Sequence, residues 1–375
     1  MLGDDVIAKV HGLCDVELAL LLSLIANESP IISAPESVQD DLVEEIQLIA
    51  AKTFGLSCAV VRCTPQTTVD DFTAAIFRNP PPRSPSAFSP RLEYIAPRYP
   101  SLSLTIPPPA SPGVGPTPTP PAVPTSSAGF QTPNIVVAKD LNLAPLPVQM
   151  QALEMLRATH VFTRNKQTKP AQFMILPVLI AERSGDAKLA PHLNEHFFMA
   201  HFHHPDMGFV YLGEDEDDMQ TREDDESVRS TVSVVKRLTE PSLNDATFSE
   251  ADLAMLTNLS NKVSIDTEVL RYQLNIIAFL RLHRAVSSGI SPTATRHLEK
   301  LCRCLAPLHR IDFVTPALVV LATRKIYPHR IIVASARQER SMQWGSDGKA
   351  IAEALEEIGP EEVIEDVLDI VTAPV

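Results

Sequence analysis

The sequence predicts an α/β fold: a parallel-sheet core followed by a small all-helical domain. Three observations carry this. Up to about residue 210, short β-branched runs alternate with stretches of helical period. Beyond the acidic run at 214–226, apolar residues recur at helical spacing only. Of the 33 prolines, 17 fall in 79–134, which marks an insertion within the first half. Alternation followed by helices is the pattern of a sheet domain carrying a helical lid.

In chain order, 16–26 (VELALLLSLIA) reads as a helix, 29–33 as a short apolar strand, 38–54 as an amphipathic helix and 58–63 (CAVVRC) as a strand. A buried strand at 134–140 (NIVVAKD) leads into a helix at 148–158. THVFTR and KPAQFMILPVLIA read as a hairpin whose second arm, 172–181, is a core strand, and 196–204 reads as one more strand. After the acidic run everything reads as helical, at 249–258, 266–286, 291–309 and 315–327. Ser291-Pro292 and Thr315-Pro316 start two of these helices: the hydroxyl accepts from a free amide, and proline at the first helical position sacrifices no hydrogen bond. The expected organisation is an α/β core at 1–78 and 135–210, a proline-rich disordered insertion at 79–134, an acidic linker at 211–239, a helical lid at 240–335 and a partly helical C-terminal tail at 336–375.

Composition narrows the function. At 375 residues, 45% hydrophobic and 21% charged, the chain resembles an ordinary soluble globular protein. A net charge of −14 argues against nucleic-acid partners, since phosphate-backbone binding needs clustered Lys and Arg. No apolar run reaches the roughly 18 residues of a membrane span, and no basic-then-apolar leader opens the chain. The five cysteines lack framework spacing, so a reducing, cytoplasmic location is expected, with the nucleus left open.

Residues 263–331 keep Tyr272, Arg281, Gly289, Ser291, Pro292, Ala306, Leu308, Asp312, Val314, Thr315, Pro316, His329 and Arg330 in one spaced pattern. With these residues the segment resembles the lid of AAA+ proteins of the MoxR and magnesium-chelatase ATPase-subunit type. The resemblance implies a P-loop-NTPase-like (AAA+) core, and weaker matches extend it. RCTPQTTVDDFT (62–73) keeps Thr64, Pro65, Asp71 and Thr73 of one family segment, and the strand at 134–140 with its following helix resembles the Walker B region through Ala138, Asn142, Ala144, Pro145, Gln149, Leu153 and Glu154.

The nucleotide-handling positions depart from that family. The segment Ala34, Pro35, Glu36, Ser37, Val38, Gln39, Asp40, Asp41 falls where the phosphate loop belongs. Such a loop needs glycines so that amides can wrap phosphate, a lysine for charge and Ser or Thr for magnesium. Here Ala34, Ser37 and Gln39 replace glycines, and Asp40 and Asp41 stand at the lysine and threonine positions, where two carboxylates would repel phosphate oxygens. Lys139 takes the place of the metal-orienting acid, Asp140 that of the water-activating glutamate, Leu179 that of the polarising asparagine, His196 that of the arginine finger and Thr293 that of the sensor arginine. Arg296, one helical turn beyond Thr293, is a possible sensor substitute.

Among other constellations, His201 and His203 would share one strand face as a possible chelating pair, but no acid or cysteine stands at a fixed spacing to them, and no metal is expected. Cys302 and Cys304 face different directions on a helix and read as packing. The resulting expectation is a degenerate AAA+ module acting as a non-catalytic scaffold or an inactive subunit in an assembly. Its partners are then proteins, either ring subunits or a client, and no cofactor is expected. The alternative is an ATP-hydrolysing subunit of the magnesium-chelatase or MoxR type, with ATP and Mg²⁺, that rebuilds a site from Asp140, Arg281 and Arg296.

Overall fold

The computed structural model of the chain describes residues 2–78, 132–158, 160–161, 167–168, 172–212, 246–356 and 358–374. The insertion expected at 79–134 and the linker expected at 211–239 lie outside these residues, apart from 132–134 and 211–212.

Helices α1 (Leu2–Val10) and α2 (Asp15–Ala26) precede strand β1 (Ile31–Ala34). Helix α2 is apolar all round and buried almost throughout, so it runs through the core and not along the surface. Then come α3 (Gln39–Leu48), extended by a π turn at Ile49–Thr53, β2 (Cys58–Arg62) and α4 (Val69–Arg78). Past the insertion lie β3 (Ile135–Lys139), α5 (Leu146–Arg157), β4 (His160–Val161), β5 (Gln167–Thr168), β6 (Met174–Ile180), α6 (Pro191–His196) and β7 (Ala200–Phe202).

Five of these strands form one parallel sheet in the order β2-β3-β6-β1-β7. Its two faces feed two cores, as strand alternation requires. Ile135, Val137, Leu176, Val178 and Ile32 face α2, α3 and the helical half. Val136, Ala138, Ile175, Leu179 and Ile31 face a second cluster that includes Phe72, Ile76, Val148, Leu153 and Leu193.

The helical half comprises α7 (Glu250–Lys262), α8 (Thr267–Leu282), α9 (Pro292–Leu308) and α10 (Pro316–Ile326). Ser291 and Thr315 cap α9 and α10, accepting from Ala294 N at 3.1 Å and Leu318 N at 3.4 Å. Helices α11 (Gly348–Leu355) and α12 (Pro360–Ile370) follow, and α12 packs on α8 and α10. Arg324 grips Glu365 through two 2.7 Å bonds at that contact.

Two expectations change. The hairpin is the two-residue pair β4 and β5, and the core strand at 174–180 lies apart from it between β3 and β1. The half after the acidic run is not wholly helical: β8 (Val286–Ser288) and β9 (Ile332–Val333) pair antiparallel. A β-branched run signals a strand but not its partner, so sequence alone joined neighbours that fold apart.

Candidate functional site

From β1 the chain crosses to β2 at the far edge of the sheet and builds back through β3 and β6. The C-terminal ends of β1, β6 and β3 therefore border the place where connections diverge, where open α/β sheets hold their ligands. Beyond Ala34, Pro35 supplies no N–H, and a 3-10 turn at Glu36–Val38 leads into α3. The Val38 N–H donates to the Pro35 carbonyl at 3.2 Å, so the turn consumes one of the amides that could face a ligand.

The residues that follow close the crevice. Lys139 Nζ, at the end of β3, donates to Asp40 Oδ1 at 2.6 Å, and Arg62 Nη2, at the end of β2, reaches the same oxygen at 3.3 Å. The Lys139 hydrogen bond, with the charges of Lys139 and Arg62, holds the Asp40 carboxyl below its ordinary range. Beside this pair the buried Gln39 amide donates to Asp140 Oδ1 at 2.7 Å and to the Val178 carbonyl at 3.1 Å. Asp140 sits in the left-handed region (φ 56°), a conformation that aspartate tolerates better than most residues. Asp40 and Asp41 also stand in the first turn of α3, where negative charge meets the positive end of the helix dipole. The expectation of bare, repelling carboxylates is thus corrected for Asp40, whose charge is matched by two cations.

This donor set does not fit a magnesium-bound triphosphate. A lysine ammonium cannot ligate Mg²⁺, the Asp40 oxygen already carries two cations, and the Gln39 side chain lies across the crevice. Leu179 on β6 is fully buried and offers no polar atom.

The remaining predicted residues stand elsewhere. Glu36 and Ser37 are exposed on the turn. His196 ends α6 and Arg296 is exposed on α9, where it bonds Thr293 at 3.4 Å; both stand near His297. Arg281 donates to the Ile290 carbonyl at 3.1 Å. The structure therefore brings together Gln39, Asp40 and Asp140 but joins neither Arg281 nor Arg296 to them by any hydrogen bond or ion pair among the described residues.

His201 and His203 are both buried, and His201 Nδ1 faces Lys325 Nζ at 3.4 Å, an ammonium that would oppose a metal ion. Among the described residues, no group of three or more His, Cys, Asp or Glu could hold a metal. All five cysteines are free, and burial pushes the Cys302 and Cys304 thiols up to about 12. No helix among the described residues is long and apolar enough to cross a membrane.

Sequence reasoning missed Arg62 as a partner of Asp40, and Gln39 as a bridge. One signal was present: Asp40 and Lys139 carry opposite charges just beyond β1 and at the end of β3.

Residues 278–354 match the AAA lid domain family. Together with the sheet order, this gives an α/β fold of the P-loop type, a parallel core followed by a helical lid. The crystal structure of a candidate ATPase from Cytophaga hutchinsonii ATCC 33406 superposes with a TM-score of 0.59, covering 99% of this chain and 94% of that one; at 15% identity the likeness is one of fold. Over 120 residues the chain is 35% identical to "Maintenance of telomere capping protein 2" of Lachancea thermotolerans, a match covering 30% of this chain and 42% of that relative's length.

Proposed function

We propose that this chain is a degenerate AAA+ module of the MoxR and magnesium-chelatase type, acting as a non-catalytic scaffold or as an inactive subunit of an assembly. The observation that carries this reading is the Asp40–Lys139 pair, 2.6 Å long, lying across the crevice where the phosphates of a nucleotide would rest. The lysine and the acid that such a site needs stand exchanged, and Gln39 fills the adjoining space. What remains is a folded core and lid able to occupy a position beside other subunits or to hold a client.

The partners are then proteins. The Lachancea relative is named for telomere capping, which favours a nuclear place of action over a cytoplasmic one. With a net charge of −14, the chain would act there through proteins and not by gripping nucleic acid itself.

The test is thermal unfolding with and without millimolar Mg-ATP. A ligand at 100 times its dissociation constant stabilises by about 2.7 kcal/mol, a shift that is easily read. No shift is expected. A saturable one would overturn the scaffold reading and promote that of an ATP-hydrolysing subunit.

A further inference from the structure

Arg62 and Lys139 are direct partners in the parallel ladder between β2 and β3, so two like charges stand side by side at the ends of neighbouring strands. Such a pair is destabilising unless an anion lies against both. Asp40 supplies that anion from a third element, α3, with one oxygen 2.6 Å from Lys139 and 3.3 Å from Arg62. The Lys139 side chain is only 12% exposed, whereas that of Asp40 is 64% exposed: the cation is set in the fold and the carboxylate lies against it from outside.

We infer that Lys139 and Arg62 form an oxyanion seat and that Asp40 is its built-in occupant. Phosphate-class anions are then excluded because the Asp40 carboxylate already satisfies the two cations, not by repulsion from a bare carboxylate. The inference rests on the crevice reading under Proposed function and adds the ligand class the seat would take: a diphosphate-like oxyanion free of metal, because both positive charges come from the protein. A magnesium complex, with its charge already neutralised, would gain little there.

Asp40→Asn keeps the shape and removes the charge, leaving the two cations without their counter-ion. Isothermal titration with inorganic pyrophosphate should show no saturable heat for the unaltered chain. Asp40→Asn should bind it saturably, at least about tenfold above the detection limit that the unaltered chain fails to reach, magnesium should not improve it, and adding Lys139→Met should abolish it. Asp40→Ser, with a smaller side chain, should behave like Asp40→Asn, and circular dichroism verifies that each variant is folded. Silence of both folded variants, or binding that survives Lys139→Met, overturns the seat and leaves the scaffold reading standing. Pyrophosphate uptake by the unaltered chain overturns occupancy. Only Mg-ATP binding by the unaltered chain overturns the scaffold reading itself.

Discussion

Four histidines, His201, His203, His297 and His329, are buried where the core meets the helical half. Burial, with Lys325 and His203 nearby, pushes His201 down to about 3; burial, with Arg330 and Lys300, does the same to His297. His203 is lowered and His329 lies well below its ordinary value, burial leading in both. Arg330 explains why neutrality suits this place: its guanidinium donates to His329 Nε2 at 3.1 Å, sits 2.6 Å from His297 Nδ1 and bonds the Phe197 carbonyl. A proton on either ring would set cation against cation. In the unfolded chain His201 and His297 take up protons near pH 6.5, while the folded chain refuses them until about pH 3. Their contribution is therefore complete above about pH 6.5 and is lost as pH falls toward 3. Between about pH 8 and pH 5, denaturant midpoints should drop, with a limiting slope of about 1.4 kcal/mol per pH unit for each such ring. His297→Gln, which keeps an acceptor for Arg330, should flatten that slope by about one ring's share. A pH-independent midpoint would mean that the rings titrate normally.

At the scale of elements, the short β8–β9 ladder is held by a close backbone approach. Gly289 lies at φ 111°, and a Cβ there would meet the Arg330 carbonyl oxygen at 1.9 Å. Gly185 approaches the Pro328 carbonyl in the same way, so two glycines from different parts of the chain admit the 328–331 backbone. Gly289→Ala should destabilise by about 2 kcal/mol or more, measured by denaturant unfolding, because neither the left-handed φ nor the contact tolerates a methyl. A near-neutral result would mean that the ladder is free to part. The sequence singled out Gly289 through a family resemblance, yet the reason for a glycine there is the contact with Arg330, about forty residues away along the chain. Helix starts were legible because capping is local: Ser291 and Thr315 each need only an amide three residues on. The short hairpin β4–β5 and the ladder β8–β9 were misread because pairing partners are chosen by tertiary contact.

For the molecule as a whole, one face of the sheet, α2, α3 and the helices from α7 onward share a continuous core that includes Leu20, Val178, Tyr272, Leu298 and Val367. The described residues on either side of the insertion, up to 78 and from 132 onward, belong to one compact unit. Deleting 82–130 should therefore leave a single cooperative unfolding transition with a midpoint at or slightly above that of the full chain, since shortening the connection 79–134 about eightfold, or three halvings, lowers its closure cost by about 1.8 kcal/mol. Loss of cooperativity would show that the core depends on that segment. The sequence by itself determined the strand–helix alternation of the first half, the four helices that follow the acidic run and the caps that start two of them, because periodicity and capping are written locally. Only the tertiary structure decided that Asp40 meets Lys139 and Arg62, and that Gln39 reaches Asp140. Those partners lie up to about a hundred residues apart, and only the parallel register of the sheet brings them to one edge.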